Sequence, residues 1–291
     1  QDLAAATGSG SQDRKLDRLF GLFNRCDPDE GRYLARIVLS EMRIGVGEGT
    51  VRDAITEAFD VPVEAVERAL QVTNDYGLVA TVTREDGESG LDDLHLEVGR
   101  PVQAMLAQAG TVTDAVEAWE SVAVETKYDG ARVQVHYDGD SVSLFSRNME
   151  DVTDPLPEVV DDVEDALTAP AILDGEVVAV DDDGDPLPFQ EVLRRFRRKH
   201  DVAKAQEEVE VELWAFDCLH ADGEDLLDAP LVDRHARLDA LLESRVSTLA
   251  VTDDPDEIAD IEAEALDAGH EGIMLKDPDS PYSPGRRGKE W

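Results

Sequence analysis

Along these 291 residues the spacing of apolar side chains changes once, and that change limits the fold more than any single residue does. Before Gly99 apolar residues recur at helix spacing. In DRKLDRLFGLFNRC they fall at Leu16, Leu19, Phe20 and Phe23, and in GRYLARIVLSEM at Leu34, Ile37, Val38 and Met42. Pro28, between them, predicts a break. RIGVGEGTVRDAITEAF carries Gly45, Gly47 and Gly49, then Thr50 as the expected N-cap of a further helix. VPVEAVERALQVTNDYG predicts another, opened by Pro62 and closed by Gly77. TREDGESGLDDLHLEVGRPVQ is acidic and glycine-rich and reads as a connection, which places a domain boundary near Gly99.

Beyond Gly99 the runs VQVHY, SVSLFS, AILDGEVVAV and VELWAFDCL are β-branched or aromatic and predict strands. Asp138-Gly139, between the first two, is a hairpin signal. FQEVLRRFRRKH, LVDRHARLDALLES and PDEIADIEAEALDAG predict intervening helices. The expectation is an all-α domain over residues 1–99 followed by an α+β domain over 100–291, with no internal repeat.

The net charge is −40, with acidic residues in both parts. Two explanations compete: a strongly basic partner, or adaptation to molar salt. Only six lysines accompany 21 arginines, and scarcity of the bulky lysine stem favours the salt reading. At about 1 M salt the screening length is about 3 Å, so the charge does not exclude an anionic ligand such as nucleic acid. Cys26 and Cys218 fit no CxxC pattern and predict a reduced, intracellular, cytoplasmic setting. The histidines show no zinc-site spacing. No apolar run reaches membrane-spanning length, no signal peptide opens the chain, and QDLAAATGSGSQDRK reads as a sequence already under way.

One lysine stands out by its setting. VETKYDGARVQVH places Lys127 between Glu125 and Asp129, with Gly130 allowing a tight turn and Arg132 following. A surface salt bridge in a turn is the plain reading. The chemical one is a nucleophile, since lysine can lose its proton where arginine cannot. Downstream stand Arg147 in FSRN; Asp174, Gly175 and Glu176 in LDGEVVAV; and Phe216 and Asp217 in WAFDCLHADG. Glu271 and Lys276 follow in EGIMLK, then Arg286, Arg287 and Lys289 in PGRRGKEW.

In this order the segments resemble the covalent nucleotidyltransferases, whose K-x-D-G-x-R hallmark is matched by Lys127, Asp129, Gly130 and Arg132. SGSQDRK, RIGVGEGTVRDAI, RPVQAMLA, PFQEVLRRFRRKH and PLVDRHARLDALL are similar to segments of ATP-dependent DNA ligases of the archaeal and eukaryotic type. Together with the acidic composition, this points to a halophilic archaeon. The resemblance implies a helical DNA-binding domain and an ATP-grasp-like adenylation domain with antiparallel sheets. It implies nick sealing through a lysyl-AMP and an adenylated DNA intermediate, with ATP as AMP donor and Mg2+ as metal.

Roles follow by motif position. Lys127 is the expected nucleophile and Glu125 the reader of the adenine edge. Arg132 and Arg147 are expected on ribose and phosphate, Glu176 on ribose or metal, and Glu271 on the metal. Lys276 should approach the α-phosphate, and Arg287 should bind ATP. Phe216 either stacks on adenine or fills the core, and Asp129 and Asp174 are structural or catalytic.

Arg194, Arg195, Arg197, Arg198 and Lys199 form the densest basic cluster, either a solvated helix face or a contact with DNA phosphates. Arg43 and Thr50, at the glycine-rich turn, are further DNA candidates. The implied partner is nicked duplex DNA, with a sliding clamp as a second candidate, no membrane, and a monomeric state. The family's pattern continues beyond Trp291 with a lysine-bearing strand and an OB-fold. The alternatives are an RNA ligase or capping-type transferase, which generally lack the preceding helical domain, and a non-catalytic nick-binding protein.

Overall fold

The computed structural model describes residues 11–38, 45–197, 202–242 and 244–291. Two compact units result, one up to Ala54 and one over Ile55–Trp291.

In the first unit α1 (Ser11–Phe23) is followed by α2 (Pro28–Val38). Pro28 does not merely break the helical pattern; it opens α2. Asp27 Oδ1 accepts the Glu30 N–H at 2.8 Å, while Glu30 Oε2 accepts the Asp27 N–H at 3.1 Å. That reciprocal cap puts proline at the first helical position, where its missing N–H costs nothing. α3 (Glu48–Phe59) straddles the division. Thr50 lies inside its first turn, donating its backbone N–H to Gly47, so it is not the N-cap expected. Arg43 lies outside the described residues.

In the second unit α4 (Val63–Thr73) ends on Asn74 in the left-handed region (φ 48°), not at Gly77. The Asp75 side chain then accepts the Gly77 and Leu78 N–H groups and starts α5 (Tyr76–Asp92). The first half of the stretch expected to be a connection, up to Asp92, is therefore helix. Gly87 (φ 65°, ψ −147°) kinks α5, yet Val79, Thr83 and Leu91 all stay buried. Burial of those side chains outweighs the weak helix propensity of DGESG.

The four predicted strand runs each fall on a strand, whereas further short strands were not predicted. β1 (Val122–Lys127) lies between β7 (Ala250–Thr252) and β8 (Gly272–Lys276) in a three-stranded antiparallel sheet. β2 (Ala131–Tyr137), β3 (Val142–Ser146), β4 (Ala171–Val180), β5 (Glu210–Ala221) and β6 (Glu224–Asp225) form a second, also antiparallel, in the order β3-β2-β4-β5-β6. One apolar cluster joins this sheet to α7 (Pro157–Ala166), α8 (Phe189–Arg197) and α10 (Leu231–Leu241), through Val159, Val192 and Leu238, with α9 (Val202–Glu208) leading into β5. A second unites Val72 of α4 with Val102, Met105, Ile172, Leu219, Tyr282 and Trp291. α6 (Val112–Ala118) and α11 (Pro255–Asp267) bury Ala115 and Ile258 against Val122 and Val124 of β1. Strand alternation then turns Ala123, Glu125 and Lys127 to the opposite face of β1.

Candidate active site

Lys127 is the last residue of β1, at the point where the chain leaves the small sheet for β2 of the large one. Three residues make the crossing, and each is docked. Tyr128 stacks on Trp214 of β5, with ring centroids 5.5 Å apart. Asp129 Oδ2 accepts the Phe189 N–H at the start of α8 (3.1 Å). A Cβ on Gly130 would overlap the Val177 carbonyl oxygen and the Glu176 side chain of β4, so only glycine fits there. The D-G of the hallmark thus has a packing cause.

β8 and the residue just before it supply the partners. Glu271 donates its N–H to the Lys127 carbonyl (3.0 Å), and its Oε2 lies 2.6 Å from Lys127 Nζ. Both side chains are about half exposed, at 48% and 44%. One step inward along the same face, Lys276 Nζ donates to Glu125 Oε2 at 2.6 Å, and both residues are buried. The ammonium also lies 4.2 Å from the ring centre of Trp291 and 5.0 Å from that of Phe216. Burial pushes the Glu125 carboxyl above its ordinary pKa, against the pull of Lys276. Glu125 Oε1 and Trp291 Nε1, both buried, have no partner. An orphaned acceptor in a dry site carries a desolvation cost that a donor from a ligand would relieve.

The floor belongs to β2, β4 and β5. Arg132 gives its fork to Asp174, Nε to Oδ1 at 3.0 Å and an Nη to Oδ2 at 2.6 Å, and a further donor to the Met105 carbonyl at 2.7 Å. A bidentate hold on phosphate by Arg132 therefore meets a fork already in use. Burial opposes its charge, but Asp174 and then Tyr282 keep the guanidinium above its ordinary pKa. Asp174 also accepts the Tyr282 hydroxyl at 2.6 Å, which gives it a structural role. Glu176 pairs across the strands with Arg132. Burial first, then Asp174 and Glu271, push its carboxyl up to about 8 against Arg132 and Arg147. Phe216 is the extra residue at a bulge, because Gly175 pairs with Ala215 and Asp174 with Asp217. Such a bulge re-aims a side chain beside a site. Phe216 lies under the Arg132 guanidinium, 5.3 Å from its ring centre.

The remaining expectations divide. Arg147 is exposed in the turn after β3, and Arg287 is exposed on the segment bridged to Leu106. Arg194 is exposed but ion-paired with Glu191 of its own helix. Arg195 is not a surface cation. It is buried, forks onto Glu158 of α7, and donates to the carbonyls of Val209 (2.7 Å) and Pro155 (2.9 Å). A DNA-contact role for it is corrected accordingly. Arg198, Lys199 and the side chain of Arg197 lie outside the described residues. Among the described residues no group of three or more His, Cys, Asp or Glu is placed to hold a metal. The reading by motif passed over Tyr282, Trp291, Tyr128, Trp214 and His270. Nothing in the sequence marked them, because their ring contacts (Tyr128 with Trp214 and His270, Tyr282 with Trp291) arise only in the fold.

The family described as "ATP dependent DNA ligase domain" matches residues 104–291, and "DNA ligase N terminus" matches residues 1–56. The chain belongs to the ATP-dependent DNA ligase family. It is 72% identical over 291 residues to a DNA ligase of Natronomonas pharaonis, covering all of this chain and 53% of that protein. It is 71% identical over 294 residues to one of Haloarcula marismortui, with the same coverage. The chain thus spans about half the length of the curated relatives it matches, and their halophilic archaeal sources agree with its acidic composition. The ligase domain of M. tuberculosis LigD superposes with a TM-score of 0.52 at 33% identity, over 65% of this chain and 59% of that one. Among the described residues no helix is long and apolar enough to cross a membrane.

Proposed function

We propose that the chain carries the charging centre of an ATP-dependent DNA ligase, with Lys127 as the residue that accepts AMP. The observation that carries this is Lys127 Nζ on Glu271, two residues along β1 from the buried Glu125, whose Oε1 has no partner. Lys127, once neutral, attacks the α-phosphorus of ATP. An N–P bond forms, the bond to the bridging oxygen breaks, and pyrophosphate leaves. Glu125 Oε1 accepts from the adenine amino group, and Phe216 offers the ring a stacking face. A mycobacterial DNA ligase D, similar to this chain at 32% identity, with a TM-score of 0.51 and 65% of this chain covered, is known complexed with ATP.

In the whole protein AMP then passes to a 5′-phosphate at a nick, and a 3′-hydroxyl attacks that activated phosphate. Glu271 and Glu176, whose carboxyl groups interact, would be the residues to hold Mg2+, which would supply charge neutralisation to the phosphates; among the described residues the protein alone offers no full cage. The helical N-terminal part is the DNA-binding domain, with Thr50 as its candidate among the described residues, and Arg194 of α8 is a further candidate in the second domain. A monomer, a sliding-clamp partner and a cytoplasmic setting complete the reading. Intact mass after incubation with ATP, and separately with NAD, in concentrated KCl with magnesium tests the core of it. An AMP adduct from ATP alone, absent from Lys127→Ala, is expected. An adduct that persists in that variant would overturn the assignment.

A further inference from the structure

The inter-sheet crossing holds a group that the K-x-D-G-x-R chemistry does not use. Tyr128 lies flat on Trp214, at an interplanar angle of 15°. The His270 ring meets Tyr128 edge-on, centroids 5.0 Å apart at 74°. Trp214 also carries the Arg245 guanidinium, 6.0 Å from its ring centre. His270 and Tyr128 immediately flank the ion pair, one residue before Glu271 and one after Lys127. The three rings come from β1's end, from the approach to β8, and from β5. The first two flank the small sheet, next to Lys127 and Glu271. The third belongs to the large sheet that holds Glu176 and Phe216.

We infer that Tyr128 and Trp214 are positioning residues, whose stack ties the small sheet to the large one beside Lys127 and so sets where the amine points. The inference rests on the lysyl-AMP reading for what the amine does, but the stack itself is independent of it. Asp129 and Gly130 anchor the backbone of the crossing, on α8 and β4. Neither reaches the strand residue Lys127 from its own side chain. Tyr128 is the adjoining side chain, and Trp214 is its flat support. His270 closes the open edge of Tyr128. Its buried Nδ1 has no partner. An edge-on ring adds packing beside Tyr128. Offset stacking gives a defined geometry that an aliphatic side chain of similar volume does not.

Trp214→Leu, Trp214→Phe and Tyr128→Leu test this with two readouts in molar KCl. The first is the single-turnover rate of AMP attachment across ATP concentrations. Trp214→Leu is expected to lower the maximal rate by about a hundredfold, the scale of a roughly 1 Å misplacement. The half-saturating ATP concentration should hardly change, and Trp214→Phe should restore the rate.

The second readout needs no nucleotide. Acetylation of Lys127 by an N-hydroxysuccinimide ester is followed by peptide mass spectrometry, with the exposed Lys204 as internal standard. Trp214→Leu should speed labelling of Lys127 severalfold by loosening it from Glu271, and Trp214→Phe should not. Labelling at the wild-type rate in Trp214→Leu would overturn the inference. So would a change confined to half-saturating ATP, which would make Trp214 a nucleotide contact instead. A wild-type chain that takes no AMP would defeat the lysyl-AMP reading, and the labelling comparison would still decide the stack. Tyr128→Leu carries the same comparison if Trp214→Leu does not fold.

Discussion

Gly130 and Lys276 show how single residues set the site. Ala at position 130 would drive a methyl group into the Val177 carbonyl, and the crossing is pinned on both sides, so it cannot drift away. Gly130→Ala is expected to cost about 1–3 kcal/mol, the range of an overpacked core, read by chemical denaturation in high salt. AMP attachment should fall with it. Lys276→Met makes a different test. It leaves Glu125 buried without its cation, and a broken buried pair costs about 3–5 kcal/mol. Glu125 is already pushed up by burial, so its stabilising form is the protonated one. The deficit should shrink below the ordinary carboxylate pKa and grow as pH rises. A deficit that is flat with pH would mean that water reaches Glu125. The motif residues were legible by type and order, but their partners were not. Arg132 meets Asp174 from a neighbouring strand, and Arg195 meets Glu158 from α7. Charge alone reads both as surface groups. Burial of a cation becomes visible only when the fold brings its carboxylate.

At the scale of elements, strands were easier to read than connections. β4 is buried over nearly its whole length on both faces, so AILDGEVVAV is an unbroken apolar run with sharp ends. The second half of α5 has no such contrast. Its glycines and acids look like loop, and Leu91 alone does not restore a helical period. The bulge that frees Phe216 left no mark either, because it exists only in the pairing of β4 with β5.

The connector after α5 is held by another element-scale device. Gly99 donates its N–H to His136 Nδ1 at 3.0 Å, and Val102 donates to Gln134 Oε1 at 2.9 Å. His136 Nε2 lies 2.9 Å from the same Gln134 oxygen. One ring nitrogen accepts, so the ring must be neutral. Burial, and then His220, lower its pKa to about 3. The folded state therefore binds fewer protons than the unfolded one between the ordinary histidine pKa of about 6.5 and 3. The stability is present above about 6.5 and drains away as pH falls towards 3. At pH 5 the loss is about 2 kcal/mol. Denaturant midpoints from pH 7.5 to 4.5 should show this slope, and His136→Gln should flatten it while lowering stability at pH 7.5. An unchanged slope would assign the acid response to other groups.

On the scale of the molecule the charge is less even than the overall figure suggests. Residues 1–54 hold eight basic and nine acidic residues, so all but one of the forty excess acids lie beyond Ala54. That division coincides with the one between the compact units. Self-repulsion opposes compactness in proportion to how far the field reaches. At about 1 M salt it reaches about 3 Å and acts only between neighbours, whereas at 0.1 M it reaches about 10 Å and couples charges across a domain. The two units should therefore respond differently to dilution. Hydrogen exchange read by mass spectrometry in about 2 M and about 0.1 M KCl is expected to show protection lost over β2, β4 and β5 at low salt. α1 and α2 should change much less, because their near-neutral unit has little repulsion to unscreen. Equal loss in both units would contradict this, and would mean that salt acts through apolar burial, which both share, rather than through the acids. The same asymmetry bears on DNA. A near-neutral helical unit needs far less screening than the acidic unit does to lie against phosphates. Under the proposed function, weakening of nicked-duplex affinity as salt falls should therefore trace to residues beyond Ala54, and deleting acidic side chains there should reduce it.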